Sequence, residues 1–397
     1  MRQYKKFTFG YIMLLLAAIV MLLPLYIFLL KSFEHSTYDE IVAKQLESNA
    51  IYGTATSQNT FSYKLELVKA VKPDVVAWGS SRVMQMRREF FSVPFVTIGG
   101  AVNHLSEGMQ FLEKMVTFHK PKQLILSLDF WWFNGDYIDP MNFGYHQNDG
   151  KQLTFKKLKR PLQLLKDKKL SPETFVNIFT DNRLNKSTNF PGLGLHAIST
   201  SNGYRVDGSY FYALHVFGDK PKKGRHFKQT MHKIEKGLER FKYAEHIDPS
   251  RLRYLKKILD FCQKHDIEPI VMIPPVSPTI AQKLGSMPDQ FAHIQELRSA
   301  IKSLGVEAHD YHDPENIASD DCEFYDGFHG GDVTYQRILL DMAERESALA
   351  PVIATDLLPS SIERNRGRAL SVFHPEMYVS NKENDFLDLG CQKSPLF

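Results

Sequence analysis

A chain of 397 residues, 43% hydrophobic and 24% charged, is too apolar to be disordered and long enough to bury one large core plus an insertion. The net charge of +4, with 15 histidines neutral, gives no mandate for nucleic-acid binding. Cys262, Cys322 and Cys391 lack the spacing of a zinc or thioredoxin-type site; at most one internal disulfide can form, and none is expected.

The chain opens on its clearest physical signal. No charged residue occurs from Phe7 to Leu30, enough helix at about 1.5 Å per residue to cross the roughly 30 Å hydrocarbon core of a bilayer. Arg2, Lys5 and Lys6 precede this run, whereas Glu34, Asp39 and Glu40 follow it closely. The positive-inside rule then keeps residues 1–6 in the cytoplasm and places the rest outside the inner membrane, in a periplasmic or extracellular setting. The length of the run and the want of a small-x-small cleavage site favour an uncleaved anchor at 7–30 over a signal peptide. Pro24 kinks such a helix without preventing insertion. Residues 31–60, rich in Ser, Thr, Asn and Gln, suit a stalk.

From Phe61 to Val71 apolar residues recur at helical spacing and stop before Pro73. Strands are predicted at 74–78, 94–98 and 123–130, with an amphipathic helix at 105–119 between the last two. After Phe130 the pattern breaks. Residues 131–247 read as an insertion at the carboxyl edge of the sheet, with basic stretches at 156–169 and 220–242. These stretches suit solvated helix faces, or contact with anionic glycans or lipid headgroups. Alternation resumes with a helix at 249–265, a strand at 268–273, a helix at 290–304, a strand at 306–310 and a last helix at 332–349 that packs beside the first strand. The pattern is that of a doubly wound α/β sheet over residues 61–350, and 351–397 form an extension without firm pattern.

Two motifs carry chemistry. Val75-Val76-Ala77-Trp78 is an apolar run cut off by Gly79-Ser80-Ser81-Arg82, which lifts Ser81 to the carboxyl end of a strand where a helix can begin. Far along the chain, Asp326-Gly327-Phe328-His329 offers an imidazole to take the proton of a serine hydroxyl and a carboxylate to hold that imidazole. Read alone, the second motif is equally a capped turn before a helix. His309-Asp310-Tyr311-His312-Asp313 has metal-ligating residue types, but nothing supplies a second ligand group, so turn and capping roles are favoured and no metal is expected. No phosphate-binding or dinucleotide-binding glycine motif appears, and no cofactor is expected.

Together the two motifs resemble those of the SGNH (GDSL-like) hydrolase and acyltransferase superfamily, over residues 65–130 and 250–348. Ser80 replaces the aspartate of that family's Gly-Asp-Ser block, and this Gly-Ser-Ser variant is similar to the membrane-anchored branch that includes the D-alanyl-transfer protein of teichoic acid modification and polysaccharide O-acetylation proteins. The resemblance implies a three-layer α/β/α, flavodoxin-like parallel sheet and a Ser81, His329 and Asp326 triad. It also implies oxyanion donors at the Ser81 amide and at a glycine after the second strand, Gly99 or Gly100, with Gly100 the better match. The family's Gly-x-Asn block is absent; Asn134 and Asn103 are the candidate substitutes, each equally a loop asparagine closing a turn.

Trp131, Trp132, Phe133, Tyr204, Tyr210, Phe211 and Tyr212 fall on predicted loops, as fillers of a satellite core or as sugar-stacking faces. Arg82 and Arg205 are candidates to hold an anionic acceptor, or to form ordinary ion pairs. The reading that results is a membrane-anchored acyltransferase or esterase acting on a cell-envelope glycan through an acyl-serine, with an acyl donor and, by resemblance, a multi-pass membrane O-acyltransferase as partners. The alternative is a catalytically idle glycan-binding or scaffolding subunit.

Overall fold

The computed structural model describes residues 2–56, 59–137, 153–184, 188–218, 225–346, 348–391, 393 and 395. Its strands, in chain order, are β1 (Ile51–Tyr52), β2 (Val75–Trp78), β3 (Phe95–Thr97), β4 (Gln123–Ser127), β5 (Gly192–Leu193), β6 (Gly203–Tyr204), β7 (Tyr210–Phe211), β8 (Glu268–Ile273) and β9 (Ala308–Asp310). Five of them form an all-parallel sheet in the order β3-β2-β4-β8-β9. Side-chain alternation along β2 sends Val76 and Trp78 into one apolar cluster and Val75 and Ala77 into another, so an unbroken run of apolar residues is what this position requires. The second cluster includes Ile338 and Leu339 of helix Asp332–Arg345, the helix expected beside the first strand.

The chain leaves β2 for β3 on one side and then returns to β4 on the other. Such a reversal marks the carboxyl end of β2 as the place where open α/β sheets bind ligands. The remaining strands make a small mixed sheet, β5-β1-β6-β7. It is joined to the large one by Lys64, whose Nζ donates to Thr97 O at 2.9 Å and to Gly208 O and lies 4.4 Å from the centre of the Tyr204 ring.

Helix Arg2–Lys31 contains, at Lys6–Lys31, the one stretch among the described residues that is long and apolar enough to cross a membrane. Beyond it the expected stalk is folded. Helix Tyr38–Ser48 starts at a capping box of Thr37 and Glu40, buries Tyr38, Ile41, Val42 and Gln45, and leads into β1. The polar composition of 31–60 misleads because its polar groups have internal work: Glu34 accepts from the amides of Ala55 (2.9 Å) and Leu195 (2.7 Å) and from Thr56 Oγ1 (3.1 Å).

The carboxyl-terminal extension is likewise part of the body. Ala369, Leu370 and Val372 are buried, and Ala369 O accepts from Asp332 N at 2.7 Å. A disulfide between Cys322 and Cys391, against expectation, ties the extension back across a separation of 69 residues. Sequence spacing carries no information about this pair, which meets only because the extension returns to the sheet. Replacing Cys391 by Ser should lower stability by about 4 kcal/mol in the chain-entropy limit, read as a fall in denaturation midpoint that reducing agent reproduces in the native chain and does not deepen in the variant.

Candidate active site

At the end of β2 the backbone must turn sharply beneath β4. A Cβ on Gly79 would stand 3.0 Å from Ser127 Cβ and 3.2 Å from Val83 Cγ1, so only glycine fits there without displacement. Ser80 follows in an extended conformation, and its hydroxyl accepts from Arg82 N at 3.3 Å. The element that begins at Ser81 is a five-residue 3-10 turn, Ser81–Gln85, in place of the expected helix. Any charge developing at Ser81 therefore meets individual amides and no helix end.

The structure brings Ser81, His329 and Asp326 together. Ser81 Oγ lies 2.8 Å from His329 Nε2, and His329 Nδ1 lies 2.8 Å from Asp326 Oδ2, across a sequence distance of 248 residues between serine and histidine. Asp326 Oδ1 accepts from the amides of His329 (2.9 Å) and Phe328 (3.2 Å), which fixes the carboxylate before the imidazole reaches it. Burial alone would raise the Asp326 pKa, but attraction to His329 and these hydrogen bonds outweigh it and hold the carboxyl below its ordinary value. Nδ1 then carries the hydrogen toward Asp326 and Nε2 is left to accept from Ser81. The loop is pinned on two further sides: Thr230 Oγ1 donates to Asp326 O at 2.8 Å, and Ser277 N donates to Gly327 O at 2.7 Å. Gly327 has a φ of +92°, the region where a side chain is strained.

The turn after β3 presses on the same place. A Cβ on Gly99 would lie 2.9 Å from Met84 N and 3.1 Å from Ser80 O, so glycine lets this turn approach the backbone on either side of Ser81. Gly100 adopts a φ of +81°, and neither its amide nor that of Ser81 has a partner among the described residues. Of the two candidate asparagines, Asn134 is spent: its Nδ2 donates to Lys242 O at 2.8 Å and its Oδ1 accepts from Asp136 N at 2.9 Å. Asn103, half-buried in the turn that follows Gly100, keeps its side-chain amide without a partner among the described residues.

The candidates for substrate contact are mostly structural. Arg82 is buried, with Nη1 donating to Asp129 Oδ1 at 3.1 Å and Nη2 to Pro274 O at 2.8 Å and to Pro275 O. Burial pushes the Asp129 carboxyl above its ordinary value, and the Arg82 guanidinium opposes that shift. Trp131 and Trp132 are buried, the second edge-on to Trp78 at 5.6 Å, so these aromatics fill the core. Arg205 is buried on the β6–β7 hairpin, with Nη1 donating to Ser209 Oγ at 3.3 Å and Cζ 4.7 Å from the centre of the Phe211 ring. It lines a small cleft with Arg87, Glu89, Asp207 and Tyr378, which the triad does not share.

His309 to Asp313 disperses: Asp310 pairs with Arg298, while His312 packs 5.7 Å from Phe130 with burial and the positive charges of Arg298 and Arg82 lowering its pKa to about 3. Among the described residues no group of three or more His, Cys, Asp or Glu side chains could hold a metal ion.

One residue escaped the sequence reading. Arg240 Cζ lies 5.6 Å from the Trp131 ring centre and 5.4 Å from that of Phe328, whose ring is itself 4.2 Å from His329. The guanidinium is half-buried and has no hydrogen-bond or ion-pair partner among the described residues. Its only trace in the sequence is membership of the basic stretch at 220–242, of which 220–224 lie outside the described residues.

No protein-family model, curated protein or solved structure matches the chain. The buried Arg82 pair leads to a measurable outcome: Arg82→Gln leaves Asp129 uncompensated in the core and should cost about 3–5 kcal/mol in a chemical denaturation of the full chain.

Proposed function

We propose that the chain is a membrane-anchored serine acyltransferase or esterase of SGNH type, with the three-layer sheet of that class, acting on a cell-envelope glycan. The observation that carries the reading is the continuous hydrogen-bonded line from Ser81 Oγ through His329 to Asp326 at the switch point of a parallel sheet.

Ser81 Oγ attacks the carbonyl of an acyl donor while its proton passes to His329 Nε2, and Asp326 stabilises the imidazolium so formed. The oxyanion is received by the Ser81 and Gly100 amides, with Asn103 as the side-chain donor in place of Asn134. His329 returns the proton to the leaving group, giving an acyl-serine. A glycan hydroxyl then gives its proton to His329 and attacks the ester, which transfers the acyl group and restores Ser81; water in that role gives hydrolysis. The partner that delivers the acyl group is a multi-pass membrane O-acyltransferase, in keeping with the resemblance to the anchored branch.

The basic residues ahead of the apolar helix support a cytoplasmic amino terminus, and the Cys322–Cys391 disulfide supports an oxidising compartment for the body. Ser81→Ala should abolish both labelling by a fluorophosphonate and turnover of an aryl acetate. Asp326→Asn should lower turnover about 10³- to 10⁴-fold by misassigning the imidazole hydrogen. A folded native chain that does not label is instead the idle glycan-binding subunit.

Arg240 supports an anionic substrate, since a guanidinium within cation–π distance of Trp131 and Phe328, beside His329, and without an ion-pair partner among the described residues can engage a carboxylate or phosphate. Arg240→Gln should raise KM for a carboxylate-bearing aryl ester about tenfold, a loss of roughly 1.4 kcal/mol, while KM for the neutral acetate stays put.

A further inference from the structure

The two insertion helices nearest the apolar helix carry surfaces that the catalytic reading does not use. Helix Phe155–Lys166 buries Pro161 and Leu164, and along its opposite side Phe155, Lys159, Leu162 and Lys166 follow one another at spacings of four, three and four residues. Phe155 is 80% exposed and Leu162 56%. Helix Pro172–Phe179 buries Ile178 and leaves Val176 58% exposed and Phe179 37% exposed. A water-facing helix has no reason to display such side chains in register with lysines; an interfacial helix does, because the apolar groups enter the acyl boundary while lysine stems extend their ammonium groups to the phosphates.

The position of these helices says what covers them. Phe28, in the last turn of the apolar helix, stacks on Phe175 at 4.3 Å and lies 5.7 Å from Phe179; it also shares a buried cluster with Leu164, Leu170 and Ile178. Lys31, at the end of that helix, pairs with Asp181 at 2.9 Å. The helices are thus fixed by packing to the end of the apolar helix.

We propose that helices Phe155–Lys166 and Pro172–Phe179 lie on the membrane from which the chain emerges, with Phe155, Leu162, Val176 and Phe179 in the acyl boundary and Lys159 and Lys166 on anionic lipid phosphates. The occupant is the lipid surface itself, and its function is to fix the tilt of the catalytic body over the bilayer. The inference rests on Lys6–Lys31 spanning the membrane and is independent of any activity at Ser81.

The test uses the full chain in lipid nanodiscs containing phosphatidylglycerol, with single nitroxide labels at Leu162→Cys, Val176→Cys, Ile19→Cys in the apolar helix, and Lys302→Cys on the body. Cys262 is buried and the other two cysteines are disulfide-bonded, so each label is placed uniquely. The expected result is that Leu162 and Val176 collide with oxygen and are shielded from a water-soluble nickel chelate, as Ile19 is, while Lys302 is open to nickel. Labels at 162 and 176 as nickel-accessible as that at 302, with 19 shielded, overturn the inference alone; a nickel-accessible 19 overturns the anchor as well. Replacing Lys159 and Lys166 by Gln should raise nickel access at 162 in these discs but not in discs of phosphatidylcholine alone, and equal access in both overturns the assignment to anionic headgroups.

Discussion

The structure around Ser81 depends on one buried ion pair. Arg82 is the residue next to Ser81, and its guanidinium reaches Asp129, just past the end of β4, and the carbonyls of Pro274 and Pro275, just past the end of β8. Three adjacent strands are thereby fastened at their carboxyl ends by a single side chain. From Pro275 the chain runs directly to Ser277, whose amide holds Gly327 in the middle of the loop that carries Asp326 and His329. The 2.8 Å approach of serine to imidazole is thus the end of a short mechanical series, in which each join is a hydrogen bond to backbone or a charge-assisted pair. A lysine in place of Arg82 has no planar fork with which to engage all three partners.

That series explains what could and could not be read from the residues alone. β8 was legible at both ends, Glu268–Ile273, because a buried central strand in a parallel sheet is an uninterrupted apolar run, and the helices at 60–71 and 249–264 were legible from their spacing to within one residue. Ser81, Asp326 and His329 were legible as residue types that chemistry needs. What failed was anything decided by burial of polar groups. Arg82 and Asn134 have the composition of ligand-binding residues, and only their partners, Asp129 and Lys242, show that folding has already engaged them, whereas Arg205, bonded to Ser209, keeps a buried Nε and Nη2 without a hydrogen-bond partner among the described residues. The aromatics at 131–133 fill the core, the reading favoured for them over sugar stacking; what spacing alone does not mark is the wholly interior 3-10 turn Phe130–Phe133 that carries them there. Arg240 went unnoticed because its place beside the Trp131 and Phe328 rings, with no hydrogen-bond or ion-pair partner among the described residues, is a property of space.

Segments that read as accessories prove to hold the body together. The supposed stalk supplies β1 to the mixed sheet; the insertion supplies Thr230 to the Asp326 loop; the extension supplies the Ala369 carbonyl that caps the amide of Asp332 and, through Cys391, a covalent tie to Cys322. Each contact lies between residues far apart in the chain, so closing the fold carries a large loop-entropy cost that the parallel sheet alone does not offset. The expected pattern of strand and helix was a frame, and the irregular segments are what make the frame hold one arrangement at its open end.

Two aspartates near Ser81 show how the same group is given opposite tasks. Asp129 has no exposed side-chain surface and meets Arg82, itself 1% exposed; in that setting a carboxylate is expensive, and its Oδ1 is given to the pair that locks the turn. Asp326 keeps 40% of its side chain exposed beside a histidine that is 14% exposed, and attraction to His329 together with its hydrogen bonds outweighs the burial that remains. Direction sets its hold on the imidazole: Oδ1 is fixed by two backbone amides, which leaves Oδ2 aimed at Nδ1. A carboxylate placed this way sets which ring nitrogen of His329 carries the hydrogen.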